Sequence, residues 1–212
     1  MPQCTNIRRL SDIADIRTGY TFREKVEEVE RSDGNAYVAQ IKDVRELAEA
    51  SHSFLLNPSK LPSISWQGKS KALVPSGTVI LPSRGSRGGY FKASCVVDCS
   101  GASLPLVVTS QFLIITPNEA VLPEFLCWSL NQPNIQYWLS EGGGSQGTSM
   151  SVMLKTAIGN EITIPTPPIE TQKRIIQIHQ LWEKEQELNM RLQANRLQML
   201  QGMYQKLLKE NN

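Results

Sequence analysis

The chain has 212 residues, 40% of them hydrophobic and 20% charged, with a net charge of +2. That length buries a substantial core as one large domain or one domain with an appendage. No run approaches the ~20 apolar residues of a membrane helix, and MPQCTNIRRLSDI lacks the apolar stretch of a secretory signal. The expected location is therefore the cytoplasm, with no membrane partner.

Taken in chain order, LSDIADIRTGYTF predicts a short helix or turn followed by a glycine turn, with Ser11 as a candidate cap. RTGYTFR then interleaves aromatic and basic residues. Tyr20 and Arg23 are candidate nucleic-acid contacts, although such aromatics are more often core, as expected for Phe22. NAYVAQIKDV, SGTVILPS, ASCVVDC and TSQFLIITP read as strands. The first of these places Lys42 among the candidate contacts.

Between Ser51 and Val97 there is no Asp or Glu, but there are Lys60, Lys69, Lys71, Arg84, Arg87 and Lys92. This segment carries +6, which leaves −4 for the rest of a chain whose total is +2. Such a zone suits a polyanion; a solvated, loop-rich face is the plainer alternative. Lys60, Lys69 and Lys71 are candidate phosphate contacts. Within the zone, LPSRGSRGGYFKA sets two arginines among glycines and serines, with Tyr90 and Lys92 following. Glycine permits close backbone approach. Arginine reads guanine or clamps phosphate through two parallel hydrogen bonds. A hairpin tip with solvated arginines is the competing reading.

LPEFLCWSLNQPNIQYWLSE predicts one helix, or two broken near Pro133, with Phe125, Leu126, Leu130, Ile135, Trp138 and Leu139 facing a core. SEGGGSQGTSMS follows. Gly142 and Gly147 have the separation of a phosphate loop, but its lysine is absent and a helix precedes it instead of a strand. Nucleotide binding is therefore rejected. Gln146, Thr148 and Ser149 could instead contact bases or phosphates of DNA, or the stretch could be a plain linker.

IPTPPIETQKRI forms the exit from this α+β region, in which helices accompany a mixed, twisted β-sheet. Ile162 and Ile164 suit a closing strand. Pro165 and Pro167 hold the backbone extended and bar ladder pairing. Pro168 fits the first helical position, and Glu170 lies where the helix dipole favours a carboxylate. From about Ile169 to Lys209 there is no proline and only Gly202 as glycine. Ile175, Ile178, Leu181, Trp182, Leu188, Leu192, Met199, Met203 and Leu207 form one stripe at helical spacing. A helix of this length spans about 55–60 Å, so its stripe calls for a partner helix, as in a coiled coil. The division read from sequence is a globular domain over 1–165 and a long helix over 166–212.

Catalytic chemistry is not legible here. The histidines are His52 and His179, and no nucleophile elbow, zinc-protease or kinase signature is present. TPPIE is not the Asn/Asp-Pro-Pro-aromatic tetrad of amino-methyltransferases. Cys4, Cys95, Cys99 and Cys127 do not have disulfide or zinc spacing. No cofactor and no metal is expected.

In order and spacing, LSDIADIRTGYTFR, AQIKDV, TVILPSRGSRG, TSQFLIITP and the run through IPTPPIETQKRI resemble the specificity (S) subunit of type I restriction–modification systems. Pro167, Pro168, Gln172 and Ile175 carry the most specific pattern, followed by a helix similar to the family's spacer. The resemblance implies a non-catalytic target recognition domain for double-stranded DNA, serving a DNA adenine methyltransferase subunit. In some assemblies a nuclease–translocase (R) subunit also joins. One recognition domain and one spacer, where the family carries two of each, imply a homodimer with antiparallel helices reading a symmetric bipartite site. The alternative is a module that binds a methyltransferase or S subunit through the helix without reading DNA.

Overall fold

The computed structural model describes residues 6–51, 53–86, 88–97, 104–141 and 151–210. They form an α+β fold with two mixed sheets and a long C-terminal helix. The five-stranded sheet runs in the order β2 (Ala14–Thr18), β11 (Phe112–Pro117), β7 (Val79–Pro82), β9 (Ser94–Val96), β4 (Leu55–Leu56). The four-stranded sheet runs β5 (Ser63–Ile64), β3 (Ala36–Ala39), β10 (Leu106–Val108), β6 (Leu73–Val74). Two ribbons complete the strands: β1 (Asn6–Arg9) with β13 (Thr163–Thr166), and β8 (Arg84–Ser86) with β12 (Ser151–Met153).

Side-chain alternation separates the cores. Val79, Leu81, Leu113 and Ile115 face one core, packed under α1 (Leu10–Ile13), α3 (Pro123–Leu130) and α4 (Pro133–Glu141). Ile80, Phe112 and Ile114 point the other way, into a core shared with Leu106 and Val108 of the second sheet and Val44 of α2 (Ile41–Ser51). The far face of the second sheet adds Ala36, Val38 and Val107, against which Phe22 and Trp66 pack. Strands covered on both faces read as unbroken apolar runs, which is why TVIL and FLII are conspicuous in the sequence.

Gly19 carries the chain from one sheet toward the other. Its amide donates to the Phe112 carbonyl and that of Tyr20 to Val108. A Cβ at Gly19 would lie 2.1 Å from the Thr109 carbonyl oxygen, so only glycine permits this approach.

Several local expectations change. NAYVAQIKDV is a strand only to Ala39; from Ile41 the chain is helical, because Ile41, Val44 and Ala48 repeat at helical spacing among strong helix formers. ADIRT is strand β2, and Ser11 lies within α1, whose N-cap is Arg9. ASCVVDC is a strand over Ser94–Val96; Cys4 and Cys99 lie outside the described residues. Pro165 does enter a ladder, opposite Ile7. β13 pairs with β1 alone, so the position can be one whose missing N–H faces away from the partner. Pro168 sits just before the long helix α5 (Ile169–Glu210), accepting from the amides of Thr171 and Gln172. The predicted stripe of 123–141 holds. Phe125, Leu126, Leu130 and Leu139 are buried, Ile135 and Trp138 partly so, and the helix does break at Pro133.

The chain divides into compact units at Met1–Ile176 and Gln177–Asn212. The first turns of α5 belong to the first unit because Gln172 is fully buried there. Its amide oxygen accepts from Leu122 N (2.8 Å), and its nitrogen donates to the carbonyls of Ala120 (3.1 Å) and Pro167 (2.8 Å). Ile176 is buried and Ile175 packs partly buried against the same core. In the second unit Ile178, Leu181, Trp182, Leu188, Leu192, Met199, Met203 and Leu207 are all exposed, and so are Met190, Leu197, Leu200, Tyr204 and Leu208.

Replacing Gln172 by Ala leaves one buried amide and two carbonyls without that partner, which should lower the unfolding free energy by about 2–4 kcal/mol. Urea denaturation checks this; an unchanged midpoint would show that water replaces the clamp.

Candidate nucleic-acid interface

A two-stranded ribbon joins the start of the arginine-bearing segment to Ser151–Met153. β7 ends at Pro82, and Ser83 turns the chain outward, its amide donating to Gln111 O and its carbonyl accepting from Leu154 N. β8 then pairs antiparallel with β12, with Arg84 opposite Met153 and Ser86 opposite Ser151. The segment after Ser86 and the segment before Ser151 therefore start from adjacent positions. Arg84 and Ser86 are exposed, whereas between them a Cβ on Gly85 would lie 2.6 Å from the Phe91 ring. Arg87, Gln146, Thr148 and Ser149 lie outside the described residues.

Two side chains at the α3–α4 junction hold the return of the first loop. Gln136 accepts from Phe91 N (2.8 Å) and donates to Phe91 O (2.9 Å) and Leu130 O (2.7 Å). Asn131 accepts from Ala93 N (2.9 Å) and donates to Ala93 O (3.0 Å). They act as a substitute strand for residues 91–93. The Tyr90 hydroxyl donates to Asn131 O at 3.1 Å, and burial pushes its pKa up.

Facing the ribbon is α2. The cleft between them, about 500 Å³, is lined by Arg45, Glu49, Arg84, Tyr90 and Lys92 over a floor that includes Val44, Pro82 and Phe112. Lys92 donates to the carbonyl of Ala48 near the end of α2, where a helix leaves carbonyls unpaired and favours a cation. Arg45 is the cleft residue that the sequence reading misses. Reading IKDV as strand concealed the spacing that puts Ile41, Arg45 and Glu49 along one edge of a helix.

The remaining candidates are dispersed. Tyr20 stands edge-on to Phe22 (5.0 Å) and Trp66 (4.8 Å) and is 38% exposed, while Phe22 is partly buried as expected. Arg23, Lys69 and Lys71 are exposed. Lys42 pairs with Glu28 at 2.8 Å and lies 3.7 Å from Asp43. That pairing raises the Lys42 pKa and holds the Glu28 carboxyl below its usual range. Lys60 shares a second cleft with Glu28, Glu30, Asp43 and Glu46. The basic zone is thus free of acids along the chain but not in space.

Among the described residues no group of three or more His, Cys, Asp or Glu could hold a metal ion, and no helix is long and apolar enough to cross a membrane. Cys95 and Cys127 are buried, and burial pushes the Cys95 thiol up to about 12.

A family model described as the type I restriction modification DNA specificity domain matches residues 2–194. No curated protein matches the chain. Among solved structures, one reported for complex assembly and conformational transition of the type I R-M system is similar with a TM-score of 0.61 and 16% identity. That match covers 92% of this chain and 42% of the other. The HsdS subunit from Thermoanaerobacter tengcongensis follows at 0.55 and 16%, covering 88% and 38%. The type I S subunit from M. genitalium is similar at 0.51 and 12%, covering 88% and 41%. The chain therefore spans about two fifths of each of these three chains, and at these identities the likeness is one of fold.

In the folded protein at pH 8.5, Cys95 should resist iodoacetamide, since a thiol titrating near 12 is almost entirely protonated there. Peptide mass mapping before and after denaturation checks this; rapid native alkylation would show that the strand opens.

Proposed function

Because this chain belongs to the type I restriction modification DNA specificity family, we propose that it is the sequence-reading component of a DNA-modifying complex. The observation that carries this reading is the β8–β12 ribbon, which sets the exposed Arg84 and Ser86 of the arginine-bearing segment opposite Met153 and Ser151. In this reading residues 1–165 are the target recognition domain. Arg84, Arg87, Tyr90, Lys92, Gln146, Thr148 and Ser149 supply its central contacts, and Tyr20, Arg23 and Lys42 are more distant ones. Lys60, Lys69 and Lys71 hold phosphates, which position the protein without reading bases.

Residues 166–212 are the spacer. Ile178, Trp182, Leu188, Leu192, Met199, Met203 and Leu207 are exposed on it, and an uncovered apolar stripe on a helix favours association with another helix. Two copies pair through antiparallel stripes, giving a two-fold assembly that reads two related half-sites. Ile175, packed against the domain core, serves the base of the helix more than its seam. The chain itself is non-catalytic. A partner adenine methyltransferase binds S-adenosylmethionine and takes the target base out of the stack, and a nuclease–translocase subunit joins where restriction accompanies modification.

The test is purification of the tagged full chain from its native cell, with mass spectrometry, light scattering and footprinting of the eluate. A methyltransferase and a sequence-selective footprint support the reading. A methyltransferase with no sequence-selective protection would make the chain an interaction module instead.

Two substitutions refine this. Arg84→Ala with Arg87→Ala should weaken binding to the protected site, read by anisotropy; full affinity would move recognition elsewhere. Leu188→Asp with Leu192→Asp puts two charges on the proposed seam and should halve the mass found by light scattering. An unchanged mass would place the interface elsewhere.

A further inference from the structure

Arg45 of α2 and Arg84 of β8 both line one cleft, and the function proposed above assigns no role to Arg45. Both are exposed, and neither guanidinium has an ion pair or side-chain hydrogen bond with a described residue. Their cationic neighbours differ. Lys42, three residues earlier on α2, is held by Glu28, and Lys92 by the carbonyl of Ala48. Among the described residues Glu49 is the one carboxylate lining the cleft, and it sits four residues from Arg45 without pairing to it.

The surroundings favour an anion. Ile41, Val44, Pro82 and Phe112 make part of the lining apolar, which reduces screening and strengthens a charge contact. Gly85, Ser86 and Gly89 add small residues to the same lining. Each guanidinium is a rigid fork suited to a group with two oxygens and a delocalised charge. Two such forks lining one cleft match a phosphodiester better than a base edge, which one fork reads alone.

We propose that Arg45 and Arg84 together clamp a single backbone phosphate of bound DNA in this cleft, fixing the register in which the adjoining loops meet the bases. The proposal rests on the DNA-reading function above. Arg45 is then a positioning residue: it carries no sequence information, and its loss weakens site and non-site DNA alike.

The experiment uses the complex purified from its native cell, with the wild-type chain or with Arg45→Ala, Arg84→Ala, Arg45→Lys or the double alanine variant. Anisotropy with two fluorescent duplexes, one carrying the protected site and one scrambled, is recorded over a salt series. Arg45→Ala should weaken both duplexes by a similar factor, about tenfold, and Arg45→Lys should recover part of that loss. The double variant should lower the log–log salt slope by about 0.9, one phosphate's worth. A fall of about 1.8 would mean two separate phosphates and would overturn the shared clamp. Arg45→Ala that leaves affinity and slope unchanged, while the wild type binds, would overturn the inference and leave the DNA-reading function standing. A wild-type complex that binds neither duplex would remove that function and the clamp with it. Arg45 is exposed on α2, and circular dichroism of each variant verifies that the fold persists.

Discussion

Burial of β7 and β11 on both faces is the constraint on which the rest of the first unit depends. Val79, Leu81, Leu113 and Ile115 must be covered by helices, and Ile80, Phe112 and Ile114 by a second sheet. A central strand in that position has no solvent face, so its polar neighbours must lie beyond its ends. The ribbon β8–β12 and the Gly19 crossing both occur where these strands run out. Chemistry is displaced to the margins because the middle is apolar on every side.

Side-chain amides then do work that regular ladders cannot. Gln136 and Asn131 complete the hydrogen bonding of residues 91–93, and Gln172 does so for the entry to α3. Each lies where the backbone is buried but irregular, and an unpaired group there would be costly. The three amides connect the candidate recognition loop, the helical layer and the root of α5 through one set of packed contacts.

Much of this was legible in the sequence, and the gaps have physical causes. Doubly buried strands announce themselves as TVIL and FLII, and the long helix by its stripe and lack of proline. Strand β2 was hidden because ADIRT is an outer strand of its sheet with mixed exposure. The start of α2 was hidden because Ile41 and Val44 follow a true strand without a turn signal, and with it went Arg45. The acid-free span from Ser51 to Val97 misled in one respect, since Lys60 sits beside Glu28 and Glu46 contributed from elsewhere in the chain. Nothing in the local sequence announces that Ser86 lies opposite Ser151, because such a pairing is decided by the tertiary fold. The nine-residue pattern through Pro167, Gln172 and Ile175 was visible as a motif, but its reason, a buried amide clamp, was not.

The antiparallel register of β8 and β12 also bears on how such a protein can change over evolutionary time. Sliding β8 by one residue would exchange the inward Gly85 for Arg84 and drive a guanidinium against the Phe91 ring. An insertion or deletion within the ribbon therefore costs stability, and the chain after Ser86 stays constrained as far as Phe91, whose ring packs against Gly85. The register of the ribbon is thus set from its inner side, by the one residue type that leaves room for an aromatic ring there.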